Sequence, residues 1–166
     1  MSLIEIEVER HGNPVDVIEH VAALEDWTFE RSGDDEITVS IAGRWCEYHV
    51  SVSWMEDVEA LHLACAFDLN VTEPRRYEVM RLLTLVNEQM WLGHFDLWSG
   101  DGVVMYRHAL LLAGGADPSA RQIGAMLTGA IDACDRYYQA FQFVVWAGRS
   151  AQESLEGTLF ETVGNA

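Results

Sequence analysis

Basic residues are scarce in this chain. Lysine and arginine together number 10, against 27 aspartates and glutamates, for a formal net charge of −17 over 166 residues. Binding a phosphate backbone needs clustered positive charge, so this balance argues strongly against nucleic acid. It argues equally against anionic membrane surfaces and suits a soluble protein or one with a basic partner. Cysteine is scarce too. Cys46, Cys65 and Cys134 are odd in number and widely spaced, with no CxxC or CxxH pair. Neither a zinc framework nor a disulfide scaffold is expected, only free buried thiols in a reducing compartment. The richest apolar run, "HALLLAGGA", is far too short to span a bilayer. The opening "MSLIEIEVERHGNP" has no basic segment followed by an apolar one, so no signal peptide is expected and the cytoplasm is the expected location. Phosphate-binding loops are missing as well: "LAGGAD" fits neither GxGxxG nor the Walker pattern. No internal repeat, low-complexity tract or interdomain linker interrupts the chain.

Hydrophobic residues make up 49% of the chain, which excludes general disorder. A chain of this length buries roughly 70% of its unfolded surface, enough for a core without metals or disulfides. The expected organisation is a tail or weak strand over 1–12, where Ile4, Ile6 and Val8 alternate with glutamates, then one domain over 13–166.

Asn13 and Pro14 read as the N-cap and first residue of a helix over about 14–25, with Val17, Ile18, Val21 and Leu24 on one stripe. Period-two patterning follows in four segments: Trp27–Glu30, Ile37–Ala42, Cys46–Trp54 and Ala60–Leu69. Alternation this regular predicts an antiparallel meander with one buried face. Gly43-Arg44 suits a two-residue turn. A second two-residue turn at Glu56-Asp57 pairs Trp54 with Glu59, Val52 with Leu61, Val50 with Leu63 and Tyr48 with Cys65. A three-residue turn is rejected because it places His62 opposite Val50. A helix starts at Thr72 with Glu73 and Pro74 in its first turn and runs to near Gly93, on a stripe of Val79, Leu82, Leu83, Val86 and Met90. "NEQMWLGHFDLWSGDGVVMYRHALLL" then folds as a hairpin about Gly100-Asp101. Phe95, Leu97, Val104 and Tyr106 take one face; His94, Asp96, Trp98, Val103, Met105 and Arg107 take the other. Asp117 or Ser119 caps a long helix that Gly148 stops, and "SAQE" is a capping box for a short terminal helix. The order predicts an α+β two-layer sandwich, an antiparallel sheet with helices packed on one face.

Candidate chemistry is sparse. In the expected register His49 and His62 are diagonal neighbours, and Glu47 is the only acid near them. Two histidines can begin a metal site, but a structural site needs four ligands, so two surface histidines are the plainer reading. Cys65 and His62 lie three apart on a strand and point to opposite faces, which removes a Cys-His nucleophile. His94, Asp96 and Arg107 share a hairpin face, where a solvated Asp96–Arg107 pair outweighs a His-Asp hydrolase without a nucleophile. Trp45 and Trp98 fall on the less apolar face, and the second face of the 60–68 strand is mostly alanine. Trp45, His49, His62, Ala64, His94, Asp96, Trp98 and Arg107 therefore form a candidate protein-contact surface. No catalytic, metal or cofactor-binding residue is assigned, and a homodimer is expected.

"SWMEDVEALHLACAFDLNV", "LLTLVNEQMWLGHFDLWSGDGVVMYRHALLL" and "CDRYYQAFQFVVWAG" resemble the YbjN family, in its alphaproteobacterial branch, and the resemblance spans most of 13–163. The family is described as bacterial sensory-transduction regulators. The resemblance implies a fold similar to that of type III secretion chaperones, small acidic α+β proteins that often dimerise and hold partner segments. It brings no catalytic residues. The expectation is a non-catalytic regulatory or chaperone-like protein-binding module without cofactor. The alternative is a small metal-dependent enzyme or metal-binding module using the surface histidines.

Overall fold

Asn13 opens the first helix, α1 (Pro14–Leu24), by accepting the Val15 N–H at 2.9 Å on its side-chain oxygen, with Pro14 at the first helical position. The computed structural model describes residues 9–164, with side chains through residue 159, so most of the expected tail or strand over 1–12 lies outside the described residues. Arg10 is among the described residues. Its guanidinium donates to the carbonyls of Leu112 (2.7 Å) and Ala116, and stacks 4.5 Å from the centre of the Trp54 ring.

Four strands follow as the period-two pattern predicts: β1 (Thr28–Arg31), β2 (Glu36–Ala42), β3 (Glu47–Met55) and β4 (Ala60–Asn70). A single 3-10 turn over Glu73–Arg75 leads into α2 (Arg76–Asn87), so Thr72 to Arg75 precede the α-helix proper. The helix also stops well before Gly93, and Val86 and Asn87 are its last turn. β5 (His94–Trp98) and β6 (Val103–Leu111) form the expected hairpin, with Leu97 opposite Val104 and Phe95 opposite Tyr106. Ser119 caps α3 (Ala120–Val145) in a full capping box with Gln122. Ser150 and Glu153 form the reciprocal bonds of the second box, at 3.3 and 3.4 Å, ahead of α4 (Ala151–Gly164).

All strands pair antiparallel in one open sheet, in the order β1-β2-β3-β4-β6-β5. The core lies between one face of this sheet and the helices. Ile37, Val39, Val50, Val52, Leu61, Leu63 and Cys65 meet Val15 and Ile18 of α1, Leu82 and Val86 of α2, and Ile123, Leu127 and Phe141 of α3, all fully buried. α4 packs on α3 and α2. Phe67 and Phe95 centre an aromatic cluster with Tyr106, Tyr137, Tyr138 and Phe141, whose ring centroids lie 5.1–5.8 Å apart in mostly tilted or edge-on arrangements. The fold is thus α+β, and among the described residues no helix covers the second sheet face.

Two connections are wider than expected. Ala42 pairs with Glu47, so Gly43 to Cys46 form a four-residue link. The cause is Asp135 on α3: its carboxylate accepts the Arg44 amide at 2.9 and 3.0 Å and the Tyr48 hydroxyl at 3.0 Å, and its carbonyl takes the Trp45 indole N–H at 2.9 Å. Met55 likewise pairs with Ala60 across a 3-10 turn at Glu56–Val58, closed by Glu59 at φ 48°. Glu59 tolerates that left-handed backbone because its carboxylate takes the amides of Gly114 and Gly115 (3.1 and 3.3 Å). The β3–β4 register therefore pairs Val50 with Cys65, Val52 with Leu63 and Trp54 with Leu61. It is displaced by two residues from the sequence expectation, which preserves each residue's face and changes each one's neighbour.

Candidate functional site

The open face carries most of the residues that the sequence singles out. Ala64 sits between Ser51 and Arg107, and Arg107 is also opposite His94. The Arg107 guanidinium spans two strands: Nε donates to His62 Nε2 at 3.1 Å, and Nη1 donates to Asp96 Oδ2 at 3.1 Å. Asp96 is held in turn by the Leu97 amide, which donates to Oδ1 at 2.9 Å. Asp96 thus orients Arg107 and not His94. The guanidinium can only donate, so His62 Nε2 carries its lone pair, and His62 is a neutral imidazole protonated at Nδ1. Burial, followed by the nearby Arg107 and His94 charges, holds the His62 pKa below the usual imidazole value.

Not every candidate joins this group. His49 faces Ser40, whose hydroxyl lies 2.9 Å from Nδ1. His62 faces Ser53, four positions further along β3, so the two histidines stand about 13 Å apart along the ladder rather than as diagonal neighbours. Glu47 is further still. The displaced register is the cause, and among the described residues no group of three His, Cys, Asp or Glu side chains is placed to share a metal. Trp45 lies on the helical side, with its indole on α3 and the Arg44 guanidinium 4.8 Å above it. Trp98 is half exposed at the hairpin end of β5. Cys65 and Cys134 are fully buried against each other on the helical side of the sheet, and their hydrogen bond and burial push the Cys134 thiol pKa upward. They fill the core, and Cys65 points away from His62.

Three positions that the sequence reading passed over matter to the site. His108 follows Val104 and Tyr106 in phase and so belongs to the helical side of β6; that phase was visible in the sequence. Burial, then His94, lowers its pKa. Arg10 and Asp135 act over long sequence separations through single side chains, for which periodicity has no signal.

β5 begins only at His94, opposite Arg107, while β6 runs on to Leu111. Where the shorter strand stops, a cleft of about 330 Å³ opens, lined by His62, Gly93, His94, Arg107, His108 and Ala109. Gly93 has φ +68°, and an added Cβ would fall 2.2 Å from the Tyr106 hydroxyl oxygen. The loop needs glycine there to bring the backbone down onto β6.

Residues 14–143, well over half of the chain, match the YbjN family, described as "Putative bacterial sensory transduction regulator". The chain belongs to the YbjN family. The crystal structure of YbjN from E. coli, titled "a putative transcription regulator", superposes with a TM-score of 0.54 over 89% of this chain and 93% of that one. Sequence identity is 7%, so this likeness shows the fold alone. No curated protein matches this sequence. The YbjN-family assignment agrees with the open antiparallel sheet and its helical layer. Among the described residues, no helix is long and apolar enough to cross a membrane.

Proposed function

We propose that this YbjN-family protein is a non-catalytic cytoplasmic regulator that works by binding protein, itself included, through the open face of its sheet. One observation carries the reading: α1, α2 and α3 pack against one face of the sheet, and among the described residues no helix covers the other. That face is flat and low, with Thr38, Ser40, Ser51, Ser53, Ala64 and Ala66 across its middle strands. Met105 and the Trp98 ring border it on the β5–β6 side. Small side chains let another backbone approach closely, and an exposed tryptophan is a favoured anchor. Asp96 and Arg107 neutralise one another, and His62 is uncharged. An approaching surface therefore meets little fixed charge at the middle of the face, while Glu30, Glu36, Glu47 and Asp68 stand nearer its margins.

Light scattering on the purified chain tests this, beside the same measurement on Ala66→Glu. Ala66 is exposed and opposite Met105, so the substitution places a charge mid-face without touching the core. A dimer in the wild type that strengthens with salt, and a monomeric but equally stable Ala66→Glu, is the expected result. Monomers at low and moderate salt alike would remove self-association. An activity abolished by His94→Ala at unchanged stability would replace the regulatory reading with a catalytic one.

A further inference from the structure

The cleft at the end of β5 has a charge character opposite to that of the molecule around it. Acids outnumber bases 27 to 10 in the chain, yet every titratable side chain lining the cleft is of the basic type: His62, His94, Arg107 and His108. The histidines come from three strands, β4, β5 and β6, so no run of sequence accounts for their meeting. Arg107 is already oriented, with Nε on His62 and Nη1 on Asp96, and Nη2 has no protein partner among the described residues. His94, on the same face as Arg107, has no protein hydrogen-bond partner among the described residues, while His108, on the helical side of β6, closes the cleft at the sheet edge. Asp96, the nearest acid, is bound to Arg107 and Leu97 and lies outside the lining. The volume, about 330 Å³, lies at the small end of ligand sites, the size of a metabolite rather than a peptide.

The fixed guanidinium, with a free N–H and beside an imidazole that can turn its own N–H toward the same point, suits an oxygen-bearing anion. The geometry points to a binding site for a small oxyanion, a phosphate monoester or a carboxylate, seated on Arg107 Nη2 and the ring N–H of His94. Binding there places an anion beside His62 and against the Gly93 loop, at the border of the open sheet face. The inference does not rest on protein docking through that face, because a small anion can occupy the cleft of the isolated chain.

The test is a titration of the isotopically labelled full chain, followed by amide chemical shifts, with inorganic phosphate and separately with acetate, at fixed pH and ionic strength. Saturable shifts confined to Gly93, His94, Arg107, His108 and Ala109 are expected. Saturation by phosphate identifies the phosphate source, and saturation by acetate alone identifies the carboxylate source; either supports the site. Arg107→Gln should weaken binding about tenfold or more, since it removes the charge-assisted donor. His94→Gln, which leaves Arg107 and its partners in place, should weaken it a few-fold and serves if Arg107→Gln does not fold. Shifts that grow linearly with both anions, or saturable binding that the folded variants leave unchanged, would overturn the assignment.

Discussion

Arg107 and His62 meet across neighbouring strands, Nε to Nε2 at 3.1 Å, and the bond fixes the imidazole as neutral. A pH dependence of stability follows. The His62 pKa is lowered in the folded state by burial, then by Arg107 and His94, and that of His108 by burial, then His94. A group whose folded pKa is depressed stabilises above its unfolded value, 6.5 for imidazole, and loses that contribution as pH falls through and below it. Denaturation midpoints should therefore decline from neutral pH into the acid range. His62→Gln should flatten the part of that decline near pH 6.5, where His108 contributes as well, while Glu59, held low first by the Gly114 and Gly115 amides, acts at more acid pH. An unchanged slope in the variant would show that His62 takes up its proton freely.

Phe95 is 2% exposed and packs against Phe67, Tyr106, Tyr137 and Phe141. Phe95→Ala should cost about 3–5 kcal/mol in chemical denaturation, the usual range for a core phenylalanine. Arg107→Ala and His94→Ala on the other face of the same hairpin should cost about 0–1 kcal/mol, because the Arg107–Asp96 pair is partly solvated. Equal losses on both faces would mean that the open face is not open in solution.

Trp98 is 48% exposed at the tip of β5. Trp98→Ala should leave the denaturation midpoint close to wild type and weaken self-association or partner capture, read by light scattering and by affinity capture with a defined partner. A loss of stability comparable to that of Phe95→Ala would instead make Trp98 part of the core.

Gly93→Ala meets two obstacles at once, a positive φ and a Tyr106 ring whose atoms lie 2.2–2.7 Å from the new Cβ. The expected cost is about 1–3 kcal/mol, with the Tyr106 signal in near-ultraviolet circular dichroism changed. A neutral substitution would show that the loop is free to rise from β6.

Alternation made the strands legible, and with them the faces of the strand residues, but not that of Trp45, which lies ahead of β3 and turns to the helical side. Along β4, Leu61, Leu63, Cys65, Phe67 and Leu69 are buried, while His62, Ala64, Ala66 and Asp68 are less so, as the sequence pattern has it. The β5–β6 register was legible because Gly100-Asp101 marks its centre. The β2–β3 and β3–β4 links were not, since each is decided by a distant group. Asp135 holds the first open from α3, and the Gly114 and Gly115 amides hold Glu59 in a backbone conformation that its residue type does not advertise. The same two-residue error split His49 from His62. The cleft was half legible: His94 and Arg107 were placed together on the hairpin, whereas His108 joins them only because β5 stops short.

The strand order carries a consequence for how the chain reaches this state. β1 to β4 are consecutive hairpins and can zip together from local contacts, but β4 then waits with its far side unpaired until α2 and β5 have been made and β6 arrives. An eleven-residue strand rich in apolar side chains, with a free row of amides and carbonyls, is a template for pairing with another chain. Closing the long loop to β6 is the entropically expensive step, so it should come late. During synthesis β4 emerges well ahead of its second neighbour, and the interval before the β5–β6 hairpin docks is when the nascent chain is most exposed to aggregation.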